Sequence, residues 1–284
     1  MIPTGLSGMF DESGKKTCLG MTSCGTFFAE DEVSMEKINV RGLYFDNLNM
    51  TETLDTLLTR LESGEQTVLF TPNAEIVQAC VDDPALLPVV GSADMLIPDG
   101  IGVIKAAKIL GTPLKEKVPG VVVGEKLAEA LADRPAYRLF LLGGKPGVAQ
   151  IAAEKLTEKY PGLQIAGCHD GYFKKEGEEN DAVLETIRQS RADVLYVCLG
   201  APAQEKWIHA NKDALPDVKI FAGLGGSVDI YAGTAKRAPK IFIKLGLEWF
   251  YRLLREPKRI GRMMSLPKFY FGTWKYKLSG KKDR

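Results

Sequence analysis

Four polar side chains follow strand-like runs of the sequence, where they are placed to touch a substrate. Thr71 and Asn73 come at the end of and just after the run TVLFT, Asp99 lies in a Pro-Asp-Gly turn after MLI, and Gln204 follows the run VLYVCLG. In an open α/β sheet, ligands bind outside the carboxyl ends of the strands, so these side chains are expected to converge on one edge. Asp99 is the only carboxylate placed directly at a strand end within such a turn.

Purely structural roles are open for the same residues. Asp before Gly is a common turn-forming pair, so Asp99 could serve the turn alone. Glu205, next to Gln204, fits a first-turn acid that stabilises the dipole of the following helix. Gln204 becomes a candidate only in company with other polar groups. Spacing by itself therefore leaves both interpretations standing.

Two glycine-rich turns, at residues 142–147 and 223–227, each follow a strand-like run and lead into a helix-like one. Backbone N–H groups in such turns can bind an anion together with the dipole of the helix. Neither turn has the Lys-Ser/Thr ending of a Walker loop, and neither matches GxGxxG. Taken together they indicate a ligand with a nucleotide diphosphate, without identifying it.

Strand-like and helix-like segments alternate along the chain and position these groups. Helical spacing follows the first strand-like run, with Thr51 as the candidate cap. Such alternation predicts an α/β fold, a Rossmann-like, mostly parallel sheet with helices on both faces. The predicted strands are residues 38–45, 67–71, 95–98, 138–142, 164–168, 194–199 and 219–224.

Charge is distributed unevenly along the 284 residues. The net charge is +1, yet residues 235–284 carry +12 and the preceding part carries −11. We therefore predict three regions: a poorly ordered leader (1–35), a catalytic domain (36–234) and a basic amphipathic C-terminal appendage (235–284). Two histidines and scattered cysteines without a CxxC pattern effectively exclude a His-rich zinc site, whereas a carboxylate magnesium site is not excluded.

The appendage combines positive charge with bulky apolar residues at helical spacing, such as Phe242, Leu245, Trp249 and Leu253. A helix of this kind suits an anionic membrane interface. Packing against its own domain and binding to nucleic acid are the alternatives, and the −11 of the main domain disfavours nucleic acid. No apolar run approaches the roughly 20 residues of a membrane-spanning helix.

The chain resembles the bacterial WecG/TagA/CpsF glycosyltransferases from about residue 38 to residue 268, with a leader outside the match. The similarity is carried by several motifs in the family's order, which makes it more specific than any one of them. The matching segments are TPNAE at 71–75, PDGIG at 98–102, LLGGKPG at 141–147, GYF at 171–173, LGAPAQEKWI at 199–208, and residues 223–233 and 236–263.

The resemblance implies an inverting transfer of N-acetylmannosamine from its UDP-sugar to N-acetylglucosamine on undecaprenyl diphosphate, a step of wall teichoic acid synthesis. The alternative within the family is a transferase that uses UDP-N-acetylmannosaminuronic acid or another UDP-hexose. The resemblance also implies a metal-independent enzyme without cofactor, in the cytoplasm and peripheral on the inner face of the cell membrane. A non-catalytic nucleotide- or membrane-binding module is the competing class, and a homo-oligomer stays open.

The resemblance assigns roles to positions of this chain. Asp99 is similar to the proposed general base, and Gln204 stands beside it as a catalytic candidate. Lys117 stands where relatives commonly have Arg, and Val122 where many have Asp, which puts the donor sugar in question. The implied substrate-binding residues are Thr71, Asn73, Lys117, Gly143, Gly144, Lys145, Tyr172, Gly225, Gly226, Ser227, Arg252, Arg255, Arg259 and Arg262.

Overall fold

The computed structural model describes residues 36–239, 241–242, 245, 247–255 and 264–279, without the side chains of Arg252 and Arg255. Within these residues a two-stranded antiparallel hairpin precedes a six-stranded parallel sheet. The strands are β1 (Lys37–Val40), β2 (Leu43–Asp46), β3 (Thr67–Phe70), β4 (Met95–Leu96), β5 (Arg138–Gly143), β6 (Gln164–His169), β7 (Val194–Cys198) and β8 (Ile220–Gly223). The sheet order is β4-β3-β8-β7-β5-β6, which confirms the predicted Rossmann-like α/β fold.

Helices connect the strands and continue beyond them. The first five are α1 (Met50–Ser63), α2 (Ala74–Asp82), α3 (Leu86–Gly91), α4 (Ile101–Leu110) and α5 (Gly120–Ala132). They are followed by α6 (Val148–Lys159), α7 (Glu178–Ser190), α8 (Ala203–Asn211), α9 (Ser227–Tyr231), α10 (Glu248–Arg255) and α11 (Ser265–Leu278), with a 3-10 turn at Lys212–Ala214.

The prediction of one strand over residues 38–45 was wrong. Arg41 and Gly42 have φ angles of 57° and 99°, so the chain reverses between them and forms the β1–β2 hairpin. The hairpin covers the β4 edge of the sheet, where Asp46 Oδ2 accepts a hydrogen bond of 2.7 Å from Leu96 N. The antiparallel pair thus stands outside the parallel sheet.

Local capping also differs from expectation in α1. Asn49, rather than Thr51, is the N-cap, and its side chain accepts from Glu52 N while Glu52 accepts from Asn49 N. This reciprocal pair satisfies two donors that a helix start otherwise leaves open. Neither α3 nor α7 was predicted, although Val183, Leu184 and Ile187 in α7 have helical spacing.

Two buried clusters lie on opposite faces of the sheet. Successive strand residues point to opposite faces, and Val68 and Phe70 belong to one cluster while Leu69 belongs to the other. The first cluster includes residues of α2, α3, α4, α7, α8 and α11, and the second includes residues of α1, α5, α6 and α9. The helices that leave β3 and β7 thus lie on the face opposite to the helix that leaves β5. A crevice is expected between them at the carboxyl ends of the strands.

The C-terminal helix α11 packs against α2 and α4. Phe269 and Thr273 are fully buried there, and Arg41 donates to the Phe269 carbonyl at 3.3 Å and to Gln78 Oε1 at 2.9 Å. No helix in the described part of the chain combines the length and apolar content that crossing a membrane requires. The predicted leader 1–35 lies outside the described residues, and the boundaries at 36–234 and 235–284 stay predictions.

Candidate active site at the carboxyl edge of the sheet

The loops after β3 and β4 are held against each other. Asn73 caps α2, because its Oδ1 accepts from Glu75 N at 2.9 Å and from Ile76 N at 3.1 Å. Asp99 N donates to Pro72 O at 3.2 Å, and a Cβ added to Gly100 would lie 3.8 Å from the Asn73 Cβ. With its oxygen used by the cap, Asn73 presents its amide N–H groups as donors. The structure therefore brings Asn73 and Asp99 together as predicted.

The Asp99 carboxylate lies at the start of α5. Gly120 N donates to Asp99 Oδ2 at 3.4 Å, and the N-terminus of a helix stabilises a negative charge. Thr71 packs directly against the start of α5, since a Cβ added to Gly120 would lie only 2.5 Å from Thr71 Oγ1. Thr71 Oγ1 in turn donates to Gly223 O at 3.4 Å. Asp99, Asn73 and Thr71 are all partly exposed, so a ligand can reach them.

Gln204 lies beneath the turn that follows β8. Its side chain is buried, with its oxygen accepting from Gly225 N at 2.8 Å and its nitrogen donating to Glu205 Oε1 at 3.0 Å. Both ends of the amide are thus engaged inside the protein. This geometry favours a role in supporting the turn, and direct participation in catalysis stays a prediction.

Glu205 occupies the first turn of α8, as expected, but its side chain is buried to 1% exposure. Burial raises the pKa of this carboxyl group, and the hydrogen bond from Gln204 acts in the opposite direction. Stabilising a helix dipole does not require such burial, because a surface acid does it at no desolvation cost. Glu205 therefore needs a further explanation.

The turns after β5 and β6 form the other end of the edge. Gly171 N donates to Gly144 O at 2.8 Å, which joins the two turns, and Lys145 and Tyr172 are exposed on them. In the sheet order β5 stands four strands from β4, or about 19 Å at a spacing of about 4.8 Å. Lys145 and Tyr172 can therefore share a ligand with Asp99 only if that ligand is extended.

The turn after β8 lies between these two groups. Gly226 is exposed and Gly225 is partly exposed, with a φ angle of 60° at Gly225 that favours glycine. The Ser227 hydroxyl is buried and donates to Leu224 O at 2.6 Å. It is committed to the turn, so substrate contact by Ser227 stays a prediction.

The start of α10 lies against the segment that leads into α5. Lys117 Nζ and Glu248 Oε2 form an ion pair of 2.6 Å, and Arg237 Nε lies 4.0 Å from Glu248 Oε1. Lys117, predicted to bind substrate, is thus paired with the appendage three residues before Gly120. The side chains of Arg252 and Arg255 on α10, and the whole of Arg259 and Arg262, lie outside the described residues.

Comparison with known proteins decides the family. Residues 38–283 match the profile of the "Glycosyl transferase WecG/TagA/CpsF family". The chain belongs to the WecG/TagA/CpsF glycosyltransferase family.

Three similar proteins share one name, N-acetylglucosaminyldiphosphoundecaprenol N-acetyl-beta-D-mannosaminyltransferase. The protein of Bacillus spizizenii is 37% identical over 224 residues, which cover 79% of this chain and 85% of the relative. That of Bacillus subtilis is 34% identical over 236 residues, covering 83% and 90%. That of Staphylococcus aureus strain MRSA252 is 34% identical over 257 residues, covering 90% and 99%.

For a WecG/TagA/CpsF glycosyltransferase, this edge offers the partly exposed carboxylate of Asp99, amide and hydroxyl groups beside it, and glycine turns further along. Sequence reasoning missed Glu248 and Arg237 as neighbours of this site. Glu248 is one of only three acidic residues within the basic segment 235–284, and this rarity could have marked it as a candidate partner for a positive charge. Its partner Lys117 stands 131 positions earlier, so the pairing itself could not be read from local spacing.

Proposed function

We propose that this glycosyltransferase transfers N-acetylmannosamine from UDP-N-acetylmannosamine to the 4-hydroxyl of N-acetylglucosamine on undecaprenyl diphosphate, in teichoic acid or related surface-polymer synthesis. The shared name of the three relatives supports the acceptor and the sugar. The observation that carries the mechanism is the grouping of Asp99 with Asn73 and Thr71 at the start of α5.

Asp99 is the general base in this proposal. Its carboxylate takes the proton of the acceptor 4-hydroxyl while that oxygen attacks the anomeric carbon and the bond to UDP breaks, which inverts the configuration. The hydrogen bond from Gly120 N orients one carboxylate oxygen. A positioned base of this kind contributes about 10²- to 10⁴-fold to the rate. Asn73 donates to, and Thr71 accepts from, hydroxyl or acetamido groups of the sugars.

The donor is proposed to extend along the sheet edge. Its sugar lies at the ends of β3 and β4, and its nucleotide lies toward the turns after β8, β5 and β6. The proposed contacts on the nucleotide side are Gly143, Gly144, Lys145, Tyr172, Gly225, Gly226 and Ser227. The separation of about 19 Å between β4 and β5 suits an extended UDP-sugar better than a compact ligand.

Positive side chains replace a metal in the proposed mechanism. The departing diphosphate is neutralised by the arginines predicted for this role, Arg252, Arg255, Arg259 and Arg262. Arginine suits the task because its planar group donates two parallel hydrogen bonds to a phosphate, and such preorganised charges stabilise the transition state by several kcal/mol. The expected consequence is turnover without divalent cations.

The acceptor is a lipid, and we propose that the enzyme works at an anionic membrane surface, peripheral on the inner face of the cell membrane. The described part of the appendage carries exposed apolar side chains next to lysines, notably on α11. Apolar residues and positive charge act together in binding such surfaces.

The test is a donor panel. The full chain is incubated with a lipid-diphosphate N-acetylglucosamine analogue and UDP-N-acetylmannosamine, its uronic acid form or UDP-N-acetylglucosamine, and released UDP is measured with and without EDTA. We expect UDP release and a 4-linked disaccharide with N-acetylmannosamine alone, unchanged by EDTA. Release only with the uronic acid would assign the alternative donor. No release with any donor would contradict the proposal.

A further inference from the structure

The orientation of the Gln204 amide is fixed by its neighbour Gly225. A backbone N–H can only donate, so the Gln204 atom that lies 2.8 Å from Gly225 N is the oxygen. The Gln204 nitrogen then faces Glu205, whose Oε1 accepts at 3.0 Å. Glu205, Gln204 and Gly225 thus form a chain of hydrogen bonds from the core to the turn after β8.

The second oxygen of Glu205 has no such partner. Among the described residues, Oε2 is buried and makes no hydrogen bond. Within the described residues, Cys80 of α2 is a titratable group close enough to interact with Glu205. Burial is the largest cause that raises the pKa of that thiol, to about 12, so Cys80 is an uncharged neighbour. Neither group supplies a positive charge that would stabilise a carboxylate.

These surroundings favour the protonated acid. A buried carboxylate without a cation loses its hydration, which costs far more than leaving one hydroxyl donor unpaired. Oε1 then acts as the carbonyl oxygen that receives the Gln204 N–H, and Oε2 carries the proton. The direction of the Glu205 pKa shift, upward through burial, agrees with this assignment.

We propose that Glu205 is a positioning residue whose un-ionised carboxyl group holds the Gln204 amide with its oxygen toward Gly225, and so fixes the β8 turn that receives the donor. The part of this inference that concerns the donor rests on the proposed function. Glu205 is too deeply buried to touch a substrate itself. Its effect reaches the site through Gln204. The same turn begins at Gly223, whose carbonyl oxygen accepts a hydrogen bond from the Thr71 hydroxyl.

The proposal has a consequence for stability. A carboxyl group whose pKa is higher in the folded than in the unfolded protein contributes stability that is fully present below the unfolded pKa. Between the two pKa values the folded protein holds a proton that the unfolded protein has already released, so a rise in pH favours unfolding. The contribution is therefore lost as the pH rises through the folded pKa. Glutamine has the shape of the un-ionised acid and cannot ionise, so Glu205→Gln escapes this loss.

The experiment compares the full-length wild type with Glu205→Gln and Glu205→Ala. Glu158→Gln is the matched control, since Glu158 is exposed on α6. We measure the melting temperature from about pH 5 to pH 9, across the range where a raised carboxyl pKa acts, and the kcat and KM for the donor.

Glu205→Gln should keep wild-type kinetics within about twofold and gain stability over the wild type as the pH rises. Glu205→Ala should raise the donor KM about tenfold, the worth of one buried hydrogen bond.

Three outcomes would overturn the proposal. The first is a Glu205→Gln variant as inactive as Glu205→Ala, which would mean that an ionised carboxylate is required. The second is a stability difference between wild type and Glu205→Gln that stays constant with pH or matches that of Glu158→Gln. The third is an unchanged donor KM in Glu205→Ala.

If the alanine variant does not fold, the pH profile of the glutamine variant still decides. A wild type without transferase activity would refute the proposed function alone, since the melting curves do not depend on activity.

Discussion

In the proposed mechanism, Asp99 combines two roles that spacing alone presents as alternatives. It shapes the turn after β4 and accepts the first N–H of α5, and it stays partly exposed beside Asn73 and Thr71. A carboxylate that is oriented by a helix start needs no further change to act as a base toward a bound hydroxyl. The turn role is therefore compatible with the proposed catalytic one.

At the residue scale we predict that Asp99→Asn lowers kcat by about 10²- to 10⁴-fold, the usual contribution of a general base. The asparagine oxygen can still accept from Gly120 N, so the melting temperature should stay close to that of the wild type. UDP release under saturating substrates and a thermal melt check the two parts. Near-normal turnover in this variant would remove Asp99 from the mechanism.

At the scale of elements, an ion pair joins α10 to the candidate active site. Glu248 pairs with Lys117 at 2.6 Å, and Arg237 stands on its other side at 4.0 Å. The Lys117 and Glu248 side chains are mostly buried, at 19% and 23% exposure. A pair of this kind fixes where α10 begins relative to Asp99, because Lys117 lies between α4 and α5, three residues before Gly120, whose N–H donates to Asp99.

We predict that Lys117→Glu and Glu248→Lys each raise the KM for the lipid acceptor, and that the double swap restores much of the loss. The coupling between the two changes in the free energy of unfolding should be about 1 kcal/mol, near the upper end of the range for ion pairs that are not fully buried. A double-mutant cycle on melting and on KM measures it. Lys174→Glu is the control, since Lys174 forms an exposed ion pair with Glu179 in the first turn of α7. Additive effects of the two single changes would exclude a direct coupling.

At the scale of the whole molecule, one helix both packs on the domain and faces outward. Phe269 and Thr273 of α11 are buried against α2 and α4, whereas Phe271, Trp274 and Leu278 are 77%, 52% and 82% exposed. The exposed three recur at spacings of three and four, so they share one face of the helix. Deleting the appendage would remove both faces at once and would confuse folding with membrane binding.

We predict that a triple change, Phe271→Ser, Trp274→Gln and Leu278→Gln, weakens binding to anionic vesicles without lowering the melting temperature. The lost contribution is the apolar contact with the lipid, since the lysines that add about 1 kcal/mol each near such a surface remain. Sedimentation with vesicles of defined anionic content measures it. Phe269→Ala is the complementary variant, which should destabilise the fold by about 3–5 kcal/mol. Unchanged vesicle binding in the triple variant would place the membrane contact elsewhere.

The sequence by itself determined the features that depend on neighbours along the chain. Strand runs, the turns that end them and the helices that follow are local, so the α/β fold and the placing of Thr71, Asn73 and Asp99 at strand ends could be predicted. The uneven charge of the two parts is likewise a property of composition. Even local signals failed where the backbone took an unusual conformation, as at Arg41 in the β1–β2 hairpin.

Tertiary structure decided what depends on residues far apart in sequence. The sheet order places β8 between β3 and β7, which brings Gly223 to Thr71 and Gly225 to Gln204. Glu205 is buried because its face of α8 meets the core, and Lys117 meets Glu248 across 131 positions. Spacing along the chain carries no information about such contacts, because they arise only when separate elements pack and exclude water between them.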